Sequence, residues 1–224
     1  MKVSVVSAAY NEEGNVSAFL DKLRSAMSNF DYEIVVVDDG STDNTYGTLV
    51  MRGDERLRVI RLDTHMGKDY ALYTGLRNSA GDIIATLDSD LQDEPLDLPV
   101  LINMLGRDCD MACGWRRERK DTLVKRLSSF MANAVYNIVF GMRLHDTNCP
   151  VKAFRKECVA KVRYFKNFHR FIAVMARLQG FRVRERVVTN YPRIRGVSNY
   201  GMERFLTNSV TLLTVRFKYR TLLE

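Results

Sequence analysis

Apolar positions in the first half of the chain follow two alternating rhythms. Short runs rich in Val and Ile read as buried strands: KVSVVSA (2–8), YEIVVVDD (32–39), LRVIRL (57–62) and DIIATLD (82–88). Between them the spacing lengthens to the helical period. Over 15–29, Val16, Phe19, Leu20, Leu23 and Met27 share one face. Residues 44–52, where Asp43 offers a cap, and 67–79 read as further helices. This alternation predicts an α/β fold with a mostly parallel central sheet flanked by helices. In such sheets ligands bind at the carboxyl ends of the strands. The polar segments YNEE, DDGSTD and DSDLQD fall at those ends.

The second half is less regular. Residues 121–140 read as an amphipathic helix, with Leu123, Leu127, Phe130, Met131, Ala134 and Ile138 on one face. Lys125, Ser129, Asn133 and Asn137 recur every four residues on another. VKAF (151–154) and FRVRERVV (181–188) read as strands, with a helix over 168–179. Residues 202–222 read as a C-terminal amphipathic helix with Arg204, Arg216, Lys218 and Arg220 among Phe, Leu and Val, a mixture suited to a membrane interface. No repeat, low-complexity tract or linker interrupts residues 1–224, which are expected to form one domain.

With 46% apolar and 10% aromatic residues, the chain is expected to pack as a globule. No apolar run is long enough to cross a membrane, and MKVSVVSAAYNEE is no signal peptide. Cys109, Cys113, Cys149 and Cys158 lack zinc-site spacing and read as reduced thiols of a cytosolic protein. The net charge of +7 is divided unevenly. Residues 1–112 hold 10 Lys/Arg against 20 Asp/Glu, and 113–224 hold 24 against 7. The acidic half suits a cation; the basic half suits phosphates or an anionic membrane. Nucleic acid would want aromatic platforms or a known reading motif among the basic residues, and none is evident.

DSDLQD places Asp88, Asp90 and Asp93 within six residues at a strand end. A hard cation, Mg2+ or Mn2+, would relieve their repulsion, with the amide oxygen of Gln92 as a further ligand, and could bridge nucleotide phosphates. Asp38 and Asp39 end the second strand, where a carboxylate can take hydrogen bonds from a ribose or a base. Gly67-Lys68 is no P-loop, since Asp69 follows, although Lys68 could reach a pyrophosphate. No G-x-G-x-x-G follows any strand, which argues against a dinucleotide oxidoreductase. Two basic clusters suit bound phosphate: Arg116 and Arg119 leading to Lys125 and Ser129, and Arg193 with Arg195 beside Gly196. His65, His145 and His169 read as structural, His169 as a seat for the second half.

AAYNEEGNV, EIVVVDDGSTDNT, GKDYALYTG, AGDIIATLDSDLQDEP, HDTNCPVKAFR, HRFIAVMARLQGF and RGVSNYG, in this order, resemble the family 2 inverting glycosyltransferases. The branch most similar is the polyprenyl-phosphate glycosyltransferases, which include dolichol-phosphate mannose synthases. The resemblance implies a glycosyltransferase A-type fold, in which Tyr10, Asn11, Glu12 and Asp39 help bind the nucleoside. It implies that Asp88 lies near ribose and sugar, that Asp90 and Gln92 hold the metal, and that Asp146 lies near the reaction centre. Arg116, Arg119, Lys125, Ser129, Arg193 and Arg195 would receive phosphates. The family usually has Pro where Ala8 or Ala9 stands before Tyr10. Many relatives continue into C-terminal transmembrane helices, whereas this chain ends at Glu224. It is expected to be a peripheral member or a shortened chain, at the cytoplasmic face of the membrane, with a homo-oligomer or a separate membrane subunit as conceivable partner.

The acceptor follows from charge. A phosphate monoester has its second pKa at about 6 and arrives ionised, so it needs cations and no base. A sugar hydroxyl needs a positioned carboxylate. The chain offers many arginines and few candidate bases, which favours a polyprenyl phosphate. Asp146 keeps open the alternative of a saccharide hydroxyl acceptor in cell-surface polysaccharide synthesis. A nucleotidyltransferase would want a glycine-rich basic loop where YNEEGN stands.

Overall fold

A computed structural model of the chain describes residues 1–117, 133, 134, 137–191 and 215. Its frame is a seven-stranded sheet in the order β3-β2-β1-β4-β6-β5-β7. The strands are β1 (Val3–Ala9), β2 (Tyr32–Asp38), β3 (Leu57–Arg61), β4 (Ile83–Thr86), β5 (Met111–Trp115), β6 (Lys152–Arg155) and β7 (Val183–Val187). β6 pairs antiparallel with β4 and β5, and the other pairings are parallel. The sheet is therefore mostly parallel, as the alternation predicts. Register aligns Ala9 with Asp38 and Val6 with Thr86, so β1, β2 and β4 end near one edge.

The strands are accompanied by α1 (Val16–Met27), α2 (Thr45–Met51), α3 (Lys68–Arg77), α4 (Asp97–Asn103), α5 (Glu157–Ala160) and α6 (Phe168–Leu178). Successive strand residues point to opposite faces. Val3 and Val5 join Phe19, Leu20 and Leu23 of α1 and Leu98 and Leu101 of α4 in one core. Val6 and Ile84 join Leu72 and Leu76 of α3 and Phe171, Ile172 and Met175 of α6 in another. Both faces being covered explains the near-continuous apolar strands.

Periodicity marks neither α4 nor β5. Pro99 weakens the helical signal, yet it sits in the first turn of α4, where no intrahelical N–H is required. β5 carries Gly114, a poor strand former, because a side chain there would meet Cys149 Sγ and Val188 Cγ2, each at 2.8 Å. The N-cap of α2 is Asn44 and not Asp43 as expected; Asp43 stands one position earlier, where its Oδ1 accepts from Thr45 N at 3.0 Å. Most of the helix expected over 121–140, and all of that over 202–222 except Val215, lie outside the described residues; residues 137–140 are helical.

Asp110, just before β5, ties β7 in place. Its Oδ2 accepts from Arg182 N at 2.9 Å and Nε at 2.8 Å, and its Oδ1 from Arg182 Nη2 at 2.9 Å. The Arg182 hydrogen bonds hold its carboxyl down at about 2. Because the folded value lies below the ordinary carboxylate value, the stability it adds is present above about pH 4 and is lost as pH falls towards 2. Asp110→Asn is expected to lower unfolding free energy by about 1 kcal/mol at pH 7, solvent around the half-exposed Arg182 screening the pair, and by little near pH 2. Urea denaturation at the two pH values measures this, and an equal loss at both contradicts it.

Candidate active site

The carboxyl edge of β1 and β2 forms the first part of the site. Asp38 and Asp39 are buried, at 0% and 1% exposure. Asp38 Oδ1 accepts from Ser41 N at 3.3 Å, and Asp39 Oδ1 from Met66 N at 2.8 Å. The second oxygen of each makes no hydrogen bond among the described residues. Arg61 Nε lies 3.4 Å from Asp38 Oδ2, and the imidazole Nδ1 of His65 lies 3.0 Å from Asp39 Oδ2. Buried acceptors left this way cost about 1–3 kcal/mol each, so a ligand carrying donors would be stabilised here.

Tyr10 stacks on His65 with centroids 3.9 Å apart, beside Asp39. Sequence reasoning left His65 as structural and so missed this pairing. The approach depends on Gly40, at φ +69, where a Cβ would stand 2.6 Å from the Thr64 carbonyl carbon and 2.7 Å from His65 N. Asn11, at φ 55, fastens the two loops: its N–H donates to Ser41 Oγ at 3.0 Å and its Oδ1 accepts from Thr42 N at 2.9 Å. Glu12 N donates to Thr45 Oγ1 at 2.7 Å, and Glu12 Oε2 accepts from Asn15 Nδ2 at 2.6 Å. In these contacts Asn11 and Glu12 shape the pocket.

The second part follows β4. Lys68 Nζ, at the start of α3, is 2.6 Å from Asp88 Oδ2. Burial opposes both charges, but mutual attraction wins: Asp88 is held below its ordinary value and Lys68 above. Asp90 Oδ1 accepts from Gln92 N at 3.1 Å across Leu91, a non-glycine residue at φ 61. Such backbone strain collects at functional sites. Asp93 is 4% exposed, and burial and then the charge of Asp88 push it up to about 7. Asn190 Nδ2 donates to its Oδ1 at 3.1 Å. Among the described residues no three His, Cys, Asp or Glu groups gather as a metal cluster. Within DSDLQD, Asp88 bonds Lys68 and Asp93 bonds Asn190, while the charges of Asp88 and Asp90 both act on Asp93.

The third part joins β5 to the loop before β6. Arg116 grips Asp146 through two bonds, Nε to Oδ2 at 2.8 Å and Nη2 to Oδ1 at 3.1 Å. Glu185 of β7 fixes that loop by accepting from His145 N at 2.7 Å and Asp146 N at 3.1 Å. Asn133 donates to His145 O and accepts from Thr147 Oγ1 at 2.7 Å, while Asn137 bonds both backbone groups of Leu144. The polar face that periodicity assigns to Asn133 and Asn137 therefore holds the Asp146 loop. Arg119, Lys125, Ser129, Arg193 and Arg195 lie outside the described residues.

One contact joins the halves beside Lys68. Asp69 pairs with His169 Nδ1 through Oδ1 and accepts from Asn167 N at 2.7 Å through Oδ2. His169 thus seats α6 against α3, as its place in the sequence suggests.

The profile of the glycosyl transferase family 2 matches residues 4–182. Dodecaprenyl-phosphate galacturonate synthase of Rhizobium johnstonii is 34% identical over 229 residues, covering 98% of this chain and 68% of that protein. Undecaprenyl-phosphate 4-deoxy-4-formamido-L-arabinose transferase of Yersinia pestis is 30% identical over 218 residues, covering 95% of this chain and 67% of that one. Among solved structures, glucosyl-3-phosphoglycerate synthase from Mycobacterium tuberculosis, crystallised with Mn2+ and uridine-diphosphate-glucose, superposes with a TM-score of 0.72 at 21% identity, over 96% of this chain and 78% of that one. The fold is thus of the glycosyltransferase A type.

Gly40→Ala is expected to force the Thr64–His65 backbone away and to cost about 2–4 kcal/mol, combining left-handed strain with the clash. A denaturation midpoint equal to that of the parent protein would show that the loop does not lie so close.

Proposed function

The chain belongs to glycosyltransferase family 2, and from that premise we propose that it transfers a sugar, with inversion, from a GDP- or UDP-linked donor to a polyprenyl phosphate at the cytoplasmic face of a membrane. Two relatives named for sugar transfer to dodecaprenyl or undecaprenyl phosphate support the acceptor class. The observation that carries the reading is the Arg116–Asp146 pair. Asp146, the expected base for a hydroxyl acceptor, is 3% exposed and held by both oxygens. An acceptor that arrives ionised needs no base, only cations near it.

In this reading Asp38, Asp39, Tyr10 and His65 receive the nucleoside, with Asn11 and Glu12 shaping their pocket. The unbonded oxygens of Asp38 and Asp39 take hydrogen bonds from ribose or base. Lys68 holds Asp88 ionised beside the donor sugar and faces the diphosphate. Asp90 and Gln92 offer two oxygen donors, a number that suits Mg2+ or Mn2+ shared with substrate phosphates. When bound, such an ion neutralises charge on the departing nucleoside diphosphate. Arg116, Arg119, Lys125, Ser129, Arg193 and Arg195 restrain the acceptor phosphate. A phosphate oxygen of the acceptor attacks the anomeric carbon as the bond from that carbon to the diphosphate breaks.

A second reading has one observation in its favour. Asp93, pushed up to about 7, has the proton affinity that a general base for a hydroxyl wants. Asp93→Asn separates the two. With a phosphate acceptor, turnover should stay within one order of magnitude; removing a general base costs about 10²–10⁴-fold. Asp90→Ala should reduce transfer by about 10²-fold or more, with circular dichroism and thermal midpoint unchanged. Transfer should also stop in excess chelator and return with added Mg2+ or Mn2+. Turnover that persists in Asp90→Ala contradicts the metal assignment.

A further inference from the structure

A cleft of about 350 Å³ lies beside the amino-terminal end of β7, bordered by Leu144 of the loop that carries Asp146. Arg143, Arg177, Arg182 and Arg184 line it with Leu144 and Val183, and no acidic residue does. The four arginines come from three places: the loop after residue 140, the last turn of α6, and the approach to and start of β7. Their convergence is therefore made by the fold and not by a basic run in the sequence.

Asp110 neutralises Arg182, with Nε to Oδ2 at 2.8 Å. The side chains of Arg143, Arg177 and Arg184 make no hydrogen bond or ion pair among the described residues, although the Arg177 carbonyl and the Arg184 backbone are bonded. Three uncompensated guanidinium groups around one concavity repel each other, and an anion between them would relieve that repulsion. Planar donor forks match phosphate oxygens better than a diffuse counter-ion cloud does. Ile138, 82% exposed, stands on the helical turn that leads into the cleft wall at Gly141. A basic cleft reached from an exposed apolar side chain suits the head-group region of a bilayer, where each Arg contributes about 1 kcal/mol of attraction to an anionic surface.

We propose that the cleft formed by Arg143, Arg177 and Arg184 binds the phosphate of an anionic lipid head group and docks the protein on the membrane that carries its acceptor. The assignment rests on the polyprenyl-phosphate reading, since it takes the membrane as the place of reaction.

The test compares the full chain with the Arg143→Gln/Arg177→Gln/Arg184→Gln variant. A control variant, Arg107→Gln/Lys161→Gln/Lys166→Gln, removes three exposed charges elsewhere. Co-sedimentation is measured with phosphatidylglycerol-containing vesicles and with phosphatidylcholine vesicles. The cleft variant should lose affinity for the anionic vesicles by about tenfold or more, and the control variant much less. Equal weakening in both variants, or none in either, overturns the assignment. So does a cleft that binds free pyrophosphate by calorimetry while vesicle binding is unaffected by the substitutions. Turnover on a short-chain polyprenyl phosphate in detergent is followed in parallel and should be the same in all three proteins. If even the unsubstituted chain makes no glycolipid there, the functional reading fails; if it does while vesicle binding ignores the cleft, only the docking inference fails.

Discussion

Carboxylates crowded along one edge of a sheet persist only if cations stand among them. Like charges 4 Å apart repel by about 4 kcal/mol at the effective dielectric of a protein surface. Here Lys68 stands 2.6 Å from Asp88, and Arg116 holds both oxygens of Asp146. Asp93, buried and within the field of Asp88, answers by holding its proton to about pH 7. Asp38 and Asp39 are fully covered, yet each keeps one oxygen without a hydrogen bond. The edge is thus built to accept a ligand rich in donors and an added positive charge.

The second half of the chain braces the elements that carry these charges. α3 brings Lys68 to Asp88, and the next residue, Asp69, anchors α3 to His169 of α6. Glu185 of β7 and the amides of Asn133 and Asn137 fix the loop that carries Asp146. The carboxylate edge of the first half and the Asp146 loop of the second are therefore mechanically joined. That arrangement gives a physical reason for the uneven charge of the two halves.

The first half was legible because its strands are buried on both faces and its helices repeat at a helical spacing. β1, β2, β3, α1 and α3 lie within two residues of their expected bounds. β5 was hidden because Gly114 answers a tertiary demand, close approach to Cys149 and Val188, that no local pattern reveals. Asp38, Asp39, Asp88 and Asp90 were legible as strand-end carboxylates. The stacking of Tyr10 on His65 was not, since it depends on the loop approach that Gly40 permits. The pairing of Arg116 with Asp146 joins residues thirty positions apart and has no sequence signature. The partners of Asp88 and Asp93, Lys68 and Asn190, come from elsewhere in the chain and have no local signature either.

The central claim is that the nucleophile arrives already ionised. Its most direct measurement is transfer to a polyprenyl phosphate against transfer to the same polyprenol bearing a free hydroxyl, with a panel of GDP- and UDP-sugars as donors. The account predicts a glycosylated product from the phosphate alone, with activity rising as pH passes the second phosphate pKa of about 6. Comparable transfer to the alcohol, or to a saccharide hydroxyl, would contradict it.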